Sequence, residues 1–314
     1  MDALITGGAG FIGSNLAAEL VGRGHHLRVI DNLATGSLEN LDGVSLEFVE
    51  ADIRELDAIH PLFEGAEVVF HQAAVPSVPR SVRDPVTSHA ANATGTLNVL
   101  LAARDAGVRR VVAASSSSVY GNTPTLPKHE GMPTDPRSPY AVSKLAGEHY
   151  CRAFTQVYGL ETVSLRYFNV FGPRQDPASP YAAVIPRFLT ALMKGVSPLI
   201  NGDGHQTRDF TYIHNVVDAN IAAALADSRS AGTWLNIAYG ERTSLLDLFS
   251  MAQEITGRSD IPAEHGPPRP GDVRDSLADI ELARDLLGYR PSVSLREGLA
   301  RTAAWLAGRT ASAS

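Results

Sequence analysis

At 314 residues the chain has room for one large domain or two of ordinary size, at roughly 150 residues each. With 44% hydrophobic and 19% charged residues it can bury a sizeable core, which excludes a disordered chain and a disulfide scaffold. A formal charge of −7 without a local basic cluster argues against nucleic acid as a partner.

In chain order, residues 3–6 read as a strand and 10–23 as a helix. Strands are predicted at 26–31, 46–51 and 68–72, then a helix at 92–106 and a strand at 109–115. Residues 139–158 read as a long helix and 162–168 as the next strand. Strands alternating with helices signal βαβ units and a parallel sheet covered on both faces. After about residue 172 the rhythm changes. Residues 173–180 and 262–271 read as loops rich in Pro, and 201–204 as a turn. Helices are expected at 185–194, 215–226, 245–255 and 295–306, with a short strand at 210–213 and a frayed polar tail over the last eight residues. Cys151, the single cysteine, lies in a helical stretch and is expected to be a buried filler. The ten histidines have no metal-ligand spacing, so no metal is expected. No basic leader is present and no apolar run reaches the roughly 18 residues that span a bilayer; a soluble, cytoplasmic protein is expected.

Gly7-Gly8-Ala9-Gly10-Phe11-Ile12-Gly13 falls where the first strand turns into the first helix. There the chain must turn tightly, meet a diphosphate with bare backbone and pack helix on sheet. Asp31, eighteen residues past Gly13, closes the next strand; a carboxylate there accepts from both adenosine-ribose hydroxyls and repels a 2′-phosphate, favouring NAD over NADP. In Tyr140-Ala141-Val142-Ser143-Lys144 the phenol and the ammonium share one helix face, and the positive charge is expected to lower the phenol's pKa toward that of a general base. Taken alone, Tyr-x-x-x-Lys usually marks a solvated helix face. Ser115-Ser116-Ser117-Ser118 follows a parallel strand, which puts hydroxyls at the mouth of the crevice.

These motifs, with His71-Gln72-Ala73-Ala74, Asn92 and Arg166-Tyr167-Phe168-Asn169, resemble the extended short-chain dehydrogenase/reductase family, and within it the nucleotide-sugar C4-epimerases. The resemblance spans residues 3–306 and implies an α/β fold: a Rossmann-type doubly wound parallel sheet and a smaller, mixed α/β substrate domain. It divides the chain into an NAD-binding domain at 1–172 and a mainly UDP-sugar-binding domain at 173–314, with about 206–237 packing back on the first. It implies Tyr140 as catalytic base, Lys144 on the nicotinamide ribose and Ser116 on the reacting 4-hydroxyl. NAD would lie against Gly7, Gly10, Phe11, Ile12, Gly13, Asp31, Asn32, Asp52, Ile53, Ala73, Ala74 and Asn92, as well as Tyr140 and Lys144. Asn169, Val184, Asn201, Arg208, Arg269 and Asp272 would surround a uridine diphosphate, with Ser77, Arg80, Ser117, Ser118 and Tyr140 near the sugar. The helices at 92–106 and 138–158 match those that pair across a two-fold axis in such enzymes, with Leu97, Leu101, Leu145 and Tyr150 on outward faces, implying a homodimer.

Several chemistries share this scaffold. The 4,6-dehydratases carry an Asp-Glu pair after the serine and the uronate decarboxylases a Glu, whereas this chain has Ser117-Ser118. The expected reaction is therefore inversion at C4 of a UDP-sugar through a transient 4-keto species, with tightly bound NAD regenerated. Ser276, at a position where a bulky Tyr restricts such enzymes to plain hexoses, leaves room for an N-acetyl group; the stretches 75–81 and 174–177 also resemble epimerases of UDP-N-acetylhexosamines or their uronic acids. The expected substrates are UDP-GlcNAc/UDP-GalNAc or UDP-glucose/UDP-galactose. UDP-glucuronate 4-epimerisation, or a decarboxylase or 4-keto reductase activity, is the alternative; an NAD-sensing protein without activity would have lost Tyr140 or Lys144.

Overall fold

In the computed structural model, which describes residues 1–177, 183–267 and 274–312, short β-branched and aliphatic runs become the strands of the first half. In order these elements are β1 (Asp2–Thr6), α1 (Phe11–Gly22), β2 (His26–Asp31), β3 (Glu47–Glu50), α2 (Leu56–Ile59) and β4 (Val68–His71). There follow α3 (Val78–Arg83), α4 (Pro85–His89), α5 (Gly95–Asp105), β5 (Arg110–Ser116), α6 (Pro139–Tyr158), β6 (Glu161–Tyr167) and β7 (Val170–Phe171). The second half adds α7 (Val184–Met193), β8 (Leu199–Asn201), β9 (Thr207–Arg208), β10 (Thr211–Tyr212), α8 (Ile213–Leu225), β11 (Thr233–Ile237), β12 (Thr243–Ser244) and α9 (Leu245–Thr256). The last elements are β13 (Glu264–Gly266), α10 (Glu281–Leu287) and α11 (Leu295–Ser312).

Seven strands form a parallel sheet in the order β11-β6-β5-β4-β1-β2-β3. Successive strand residues face opposite sides. Ala3 and Ile5 join the apolar cluster that holds Leu16 and Leu20 of α1 and Val216 of α8, whereas Leu4 joins Val99 of α5 and Phe154 of α6. Covering both faces buries β4 throughout and β1 from Ala3 onward, so these central strands are almost continuous apolar runs, whereas edge strand β3 leaves Glu47 and Glu50 exposed. The strand order reverses between β1 and β4, opening a crevice at their carboxyl ends. Cys151 is buried among apolar neighbours, and that burial pushes its thiol up to about 12. Among the described residues no helix is long and apolar enough to cross a membrane.

Three expectations are corrected. Residues 262–271 are not all loop: Glu264–Gly266 pairs in parallel with Leu199–Asn201, a pairing of distant segments that no local pattern reports. The closing helix does not end at 306 but continues through the small-residue tail to Ser312, since alanine sustains a helix. The helix expected at 92–106 begins as a π-turn at Ala90–Thr94 before α5.

Candidate active site

The crevice begins at the β1–α1 turn. Gly7 has φ +73°, and a Cβ there would stand 2.5 Å from the backbone of Ala73. A Cβ on Gly13 would stand 2.2 Å from the carbonyl oxygen of Gly7. Only hydrogen fits at either position, so the turn presents bare backbone beside the first turn of α1, where Phe11 and Ile12 lie. The carboxylate of Asp31 accepts from the backbone N–H groups of Ala9 at 3.0 Å and Leu33 at 2.8 Å, which fixes it at the end of β2. Burial raises its pKa while those N–H groups pull it down. Asn32 donates to Asp52 at 2.7 Å, and Arg54 beside Asp52 holds that carboxyl at about 2. Ile53 is buried against Gly95, and half-buried Ala73 and Ala74 continue from β4. A glycine-lined turn at a helix N-terminus, followed by a carboxylate at the next strand end, fits the diphosphate and ribose of NAD.

Asn92, which the resemblance places against the cofactor, is held by its own partners. It is 1% exposed; its amide accepts from Val75 N at 2.7 Å and donates to Val75 O and to Ser143 Oγ, each at 3.1 Å. With these partners it ties the segment after β4 to α6.

Ser116 ends β5, Ser117 and Ser118 enter a single 3₁₀ turn, and Tyr140 and Lys144 lie one turn apart near the start of α6. Ser138 caps α6 by accepting from Ala141 N at 3.1 Å, and Pro139 starts the helix without needing a donor partner. Together these put the phenol over the end of the sheet. The phenol is not lowered by Lys144 as expected: burial raises its pKa, and the Ser116 side chain works the other way. Lys144 instead donates to Ala114 O at 2.9 Å, and burial brings its ammonium down to about 8. Beneath the site His71 bridges Thr6 Oγ1 at 2.7 Å and Thr96 Oγ1 at 2.9 Å, and burial keeps its ring neutral, with a pKa of about 3.

In the second half a cavity of about 240 Å³ is lined by Asn169, Val184, Asn201 and Arg208. Arg187 and Gln206 also line it. The alternation of α7 could have suggested Arg187, but nothing local marked Gln206. Asn169 has φ +33° and donates to Asp209 O at 2.9 Å, a strained conformation that its neighbours hold in place. Ser276 is half-buried, its N–H donating to Thr207 O at 3.1 Å beside Arg208. Ser77, with φ +93°, caps α3 by accepting from Arg80 N at 3.3 Å. Half-buried Arg80 therefore stands on the short helix that touches α6. Arg269 and Asp272 lie outside the described residues.

A glycine-lined crevice at the reversal point of a parallel sheet, with a serine and a tyrosine meeting at its rim, marks an NAD-dependent enzyme of the doubly wound class. The chain belongs to the NAD dependent epimerase/dehydratase family, whose profile it matches over residues 3–238. It is 43% identical over 308 residues to the UDP-glucose 4-epimerase of Mycolicibacterium smegmatis, covering 96% of this chain and 97% of that protein. Its fold matches the UDP-N-acetylglucosamine 4-epimerase from Methanobrevibacter ruminantium in complex with UDP-N-acetylmuramic acid with a TM-score of 0.94, at 38% identity over 98% of both chains. It also matches the UDP-glucuronic acid 4-epimerase from Bacillus cereus in complex with UDP-glucuronic acid and NAD, with a TM-score of 0.91 and 33% identity over 98% of this chain and 100% of that one.

Proposed function

We propose that this enzyme is a UDP-sugar 4-epimerase. The observation that carries the reading is the approach of Ser116, at the end of β5, to Tyr140 on α6 one turn before Lys144, followed by Ser117 and Ser118 where a lyase would need an acid. When bound, NAD supplies a reversible two-electron acceptor. Ser116 would hold the C4 hydroxyl, and Tyr140, as the phenolate that the positive charge of bound NAD would favour over the neutral form, would take its proton at Oη and return it after the sugar has presented its other face. Lys144 orients the nicotinamide ribose. With only hydroxyls at 117 and 118, no group diverts the oxidised sugar toward loss of water or CO₂. The glycine turn, Asp31, Asn32, Asp52, Ile53, Ala73 and Ala74 hold the cofactor.

Residues 1–172 serve the cofactor and 173–314 mainly the nucleotide sugar, with 206–237 returning to the first unit. Asn169, Val184, Asn201 and Arg208 grip the uridine diphosphate, with Arg269 and Asp272 contributing from the same half. Firm hold on the diphosphate and loose hold on the sugar suit a reaction that must present both faces of one ring. The small side chain of Ser276 favours UDP-GlcNAc/UDP-GalNAc alongside UDP-glucose/UDP-galactose. Arg80, on the helix that meets α6, keeps UDP-glucuronate as a second reading.

The test is incubation with UDP-glucose, UDP-GlcNAc and UDP-glucuronate separately, resolving C4 epimers by NMR. Epimer formation with no net change in NAD is expected. Net NADH or CO₂ from UDP-glucuronate would overturn the reading in favour of a reductase or decarboxylase.

A further inference from the structure

Three consecutive residues at the end of β5 are each bound to a different level of α6. Ala114 accepts at its carbonyl from Lys144 Nζ at 2.9 Å, Ser115 Oγ donates to Glu148 Oε1 at 2.5 Å, and Ser116 meets Tyr140. Glu148 lies one turn beyond Lys144 and is 2% exposed. Arg166, on the adjacent strand β6 and in register with Ser115, grips it through two parallel bonds, Nε to Oε1 at 2.8 Å and Nη2 to Oε2 at 2.7 Å. The guanidinium, 1% exposed, also stacks 4.7 Å from the ring of Tyr120, whose hydroxyl donates to Asn236 at 2.7 Å.

A buried ion pair of this kind adds little stability, because desolvation offsets most of its attraction. Its geometry is what distinguishes it. A fork fixed on β6 holds one carboxylate on α6, and that carboxylate holds the residue next to the catalytic serine. We propose that Glu148, clamped by Arg166, is a positioning residue that sets the distance between Ser116 on β5 and the Tyr140–Lys144 pair on α6. The proposal rests on the roles given to those three residues above.

Electrostatics gives Glu148 a second effect. The groups facing Lys144 are Glu148 and Cys151 on its own helix, Ala114 O on β5 and neutral His71 on β4. Burial works against the ammonium form, Cys151 and then Glu148 favour it, and of these Glu148 is the carboxylate.

Two variants of the NAD-loaded enzyme separate positioning from packing. Ser115→Ala leaves the Glu148–Arg166 pair intact and removes only its link to β5; kcat should fall roughly tenfold, with KM for the UDP-sugar and NAD content unchanged, because a small misplacement costs rate before it costs binding. Glu148→Gln keeps the shape and removes the charge, so the alkaline limb of kcat against pH should move to lower pH by on the order of one unit, a shift Ser115→Ala should not produce. If Glu148→Gln does not fold, Ser115→Ala decides alone. Wild-type kcat in Ser115→Ala, or a loss matched by lost nucleotide binding, overturns the proposal. Tyr140→Phe run alongside distinguishes the two levels: an active Tyr140→Phe enzyme overturns the reading of the site itself, whereas an inactive one with normal Ser115→Ala turnover overturns the brace alone.

Discussion

The backbone N–H of Tyr140 donates to the hydroxyl of Ser81 at 3.1 Å, and that hydroxyl donates in turn to the carbonyl of Val78 at 2.8 Å. Ser81 is fully buried, so it supplies one of the partners that the first turn of a helix lacks and joins α3 to the start of α6. Ser81→Ala should leave the Tyr140 N–H without a partner, at a cost of about 1–3 kcal/mol. Thermal denaturation should show that loss, and steady-state kinetics should show kcat falling more than KM rises. A variant as stable and as fast as wild type would remove Ser81 from this role.

Tyr140→Phe keeps the ring and removes the proton acceptor. Turnover should drop roughly 10²- to 10⁴-fold while nucleotide affinity is nearly unchanged. Because burial raises the phenol of the cofactor-free protein, the phenolate absorbance lost in Tyr140→Phe should appear only above the ordinary tyrosine value of 10.0. Titration at or below that value would show that Lys144 governs the phenol even without a cofactor.

What could be read from the sequence was whatever is written locally. The strand before Gly7, the helix after Gly13 and the four-residue spacing of Tyr140 and Lys144 each follow from a few adjacent residues. The state of the phenol did not, because spacing reports which side chains share a face and not how much water each keeps. At Tyr140 burial outweighs the pull of the Ser116 side chain, and Lys144 finds Ala114 O. Asn92 carried a motif's meaning, but its partners are Val75 and Ser143, the latter 51 residues away. Likewise β13 exists because Glu264–Gly266 meets β8, and a three-residue strand has no pattern of its own. Glu148 looked like an ordinary helix residue and Arg166 belonged to a motif that named no partner for it, until the fold set them 2.7 Å apart.

Asp209 is fully buried, accepting from Tyr239 N and Gly240 N at 3.2 Å each and from Ala278 N at 3.1 Å, and burial pushes its carboxyl up to about 7. In the unfolded chain it ionises near 3.8, so between about 4 and 7 the folded state holds the extra proton and stability falls as pH rises. Asp209→Asn does not titrate. It should melt lower than wild type at pH 5, by about 1–3 kcal/mol for a misdirected amide, and the gap should narrow toward pH 8. Melting temperatures across that range check the sign; a gap that widens with pH would contradict it.

Leu97, Leu101 and Leu145 pack partly against the chain's own core, which leaves less apolar surface on α5 and α6 than their spacing suggested. Val142 is nevertheless 51% exposed, Tyr150 38% and Val157 70%, all on α6, and Val82 and Val86 stand out on α3 and α4. This supports our proposal of a homodimer packed through α5 and α6. Light scattering should give twice the chain mass at micromolar concentration, and Val142→Asp with Tyr150→Asp should shift it toward monomer. A mass of one chain at every concentration would refute the assembly.

Ser276 sits beside Arg208 with its N–H held by Thr207 O at 3.1 Å, so its backbone is fixed whatever side chain it bears. If it borders C2 of the sugar, Ser276→Tyr places a ring and a hydroxyl where an N-acetyl group would lie. That overlap is relieved only by moving the sugar, and a displacement of about 1 Å can cost on the order of 10²-fold in rate. Activity on UDP-GlcNAc should fall by that factor, while UDP-glucose and UDP-glucuronate, each with a bare hydroxyl at C2, should react nearly as before. For UDP-glucuronate the C6 carboxylate needs its own partner, and Arg80→Ala should then raise KM for that substrate alone. Both variants are read in one assay, epimer formation on the three UDP-sugars. Equal loss on all three from Ser276→Tyr would mean that the residue supports the segment holding Arg208 and does not read C2.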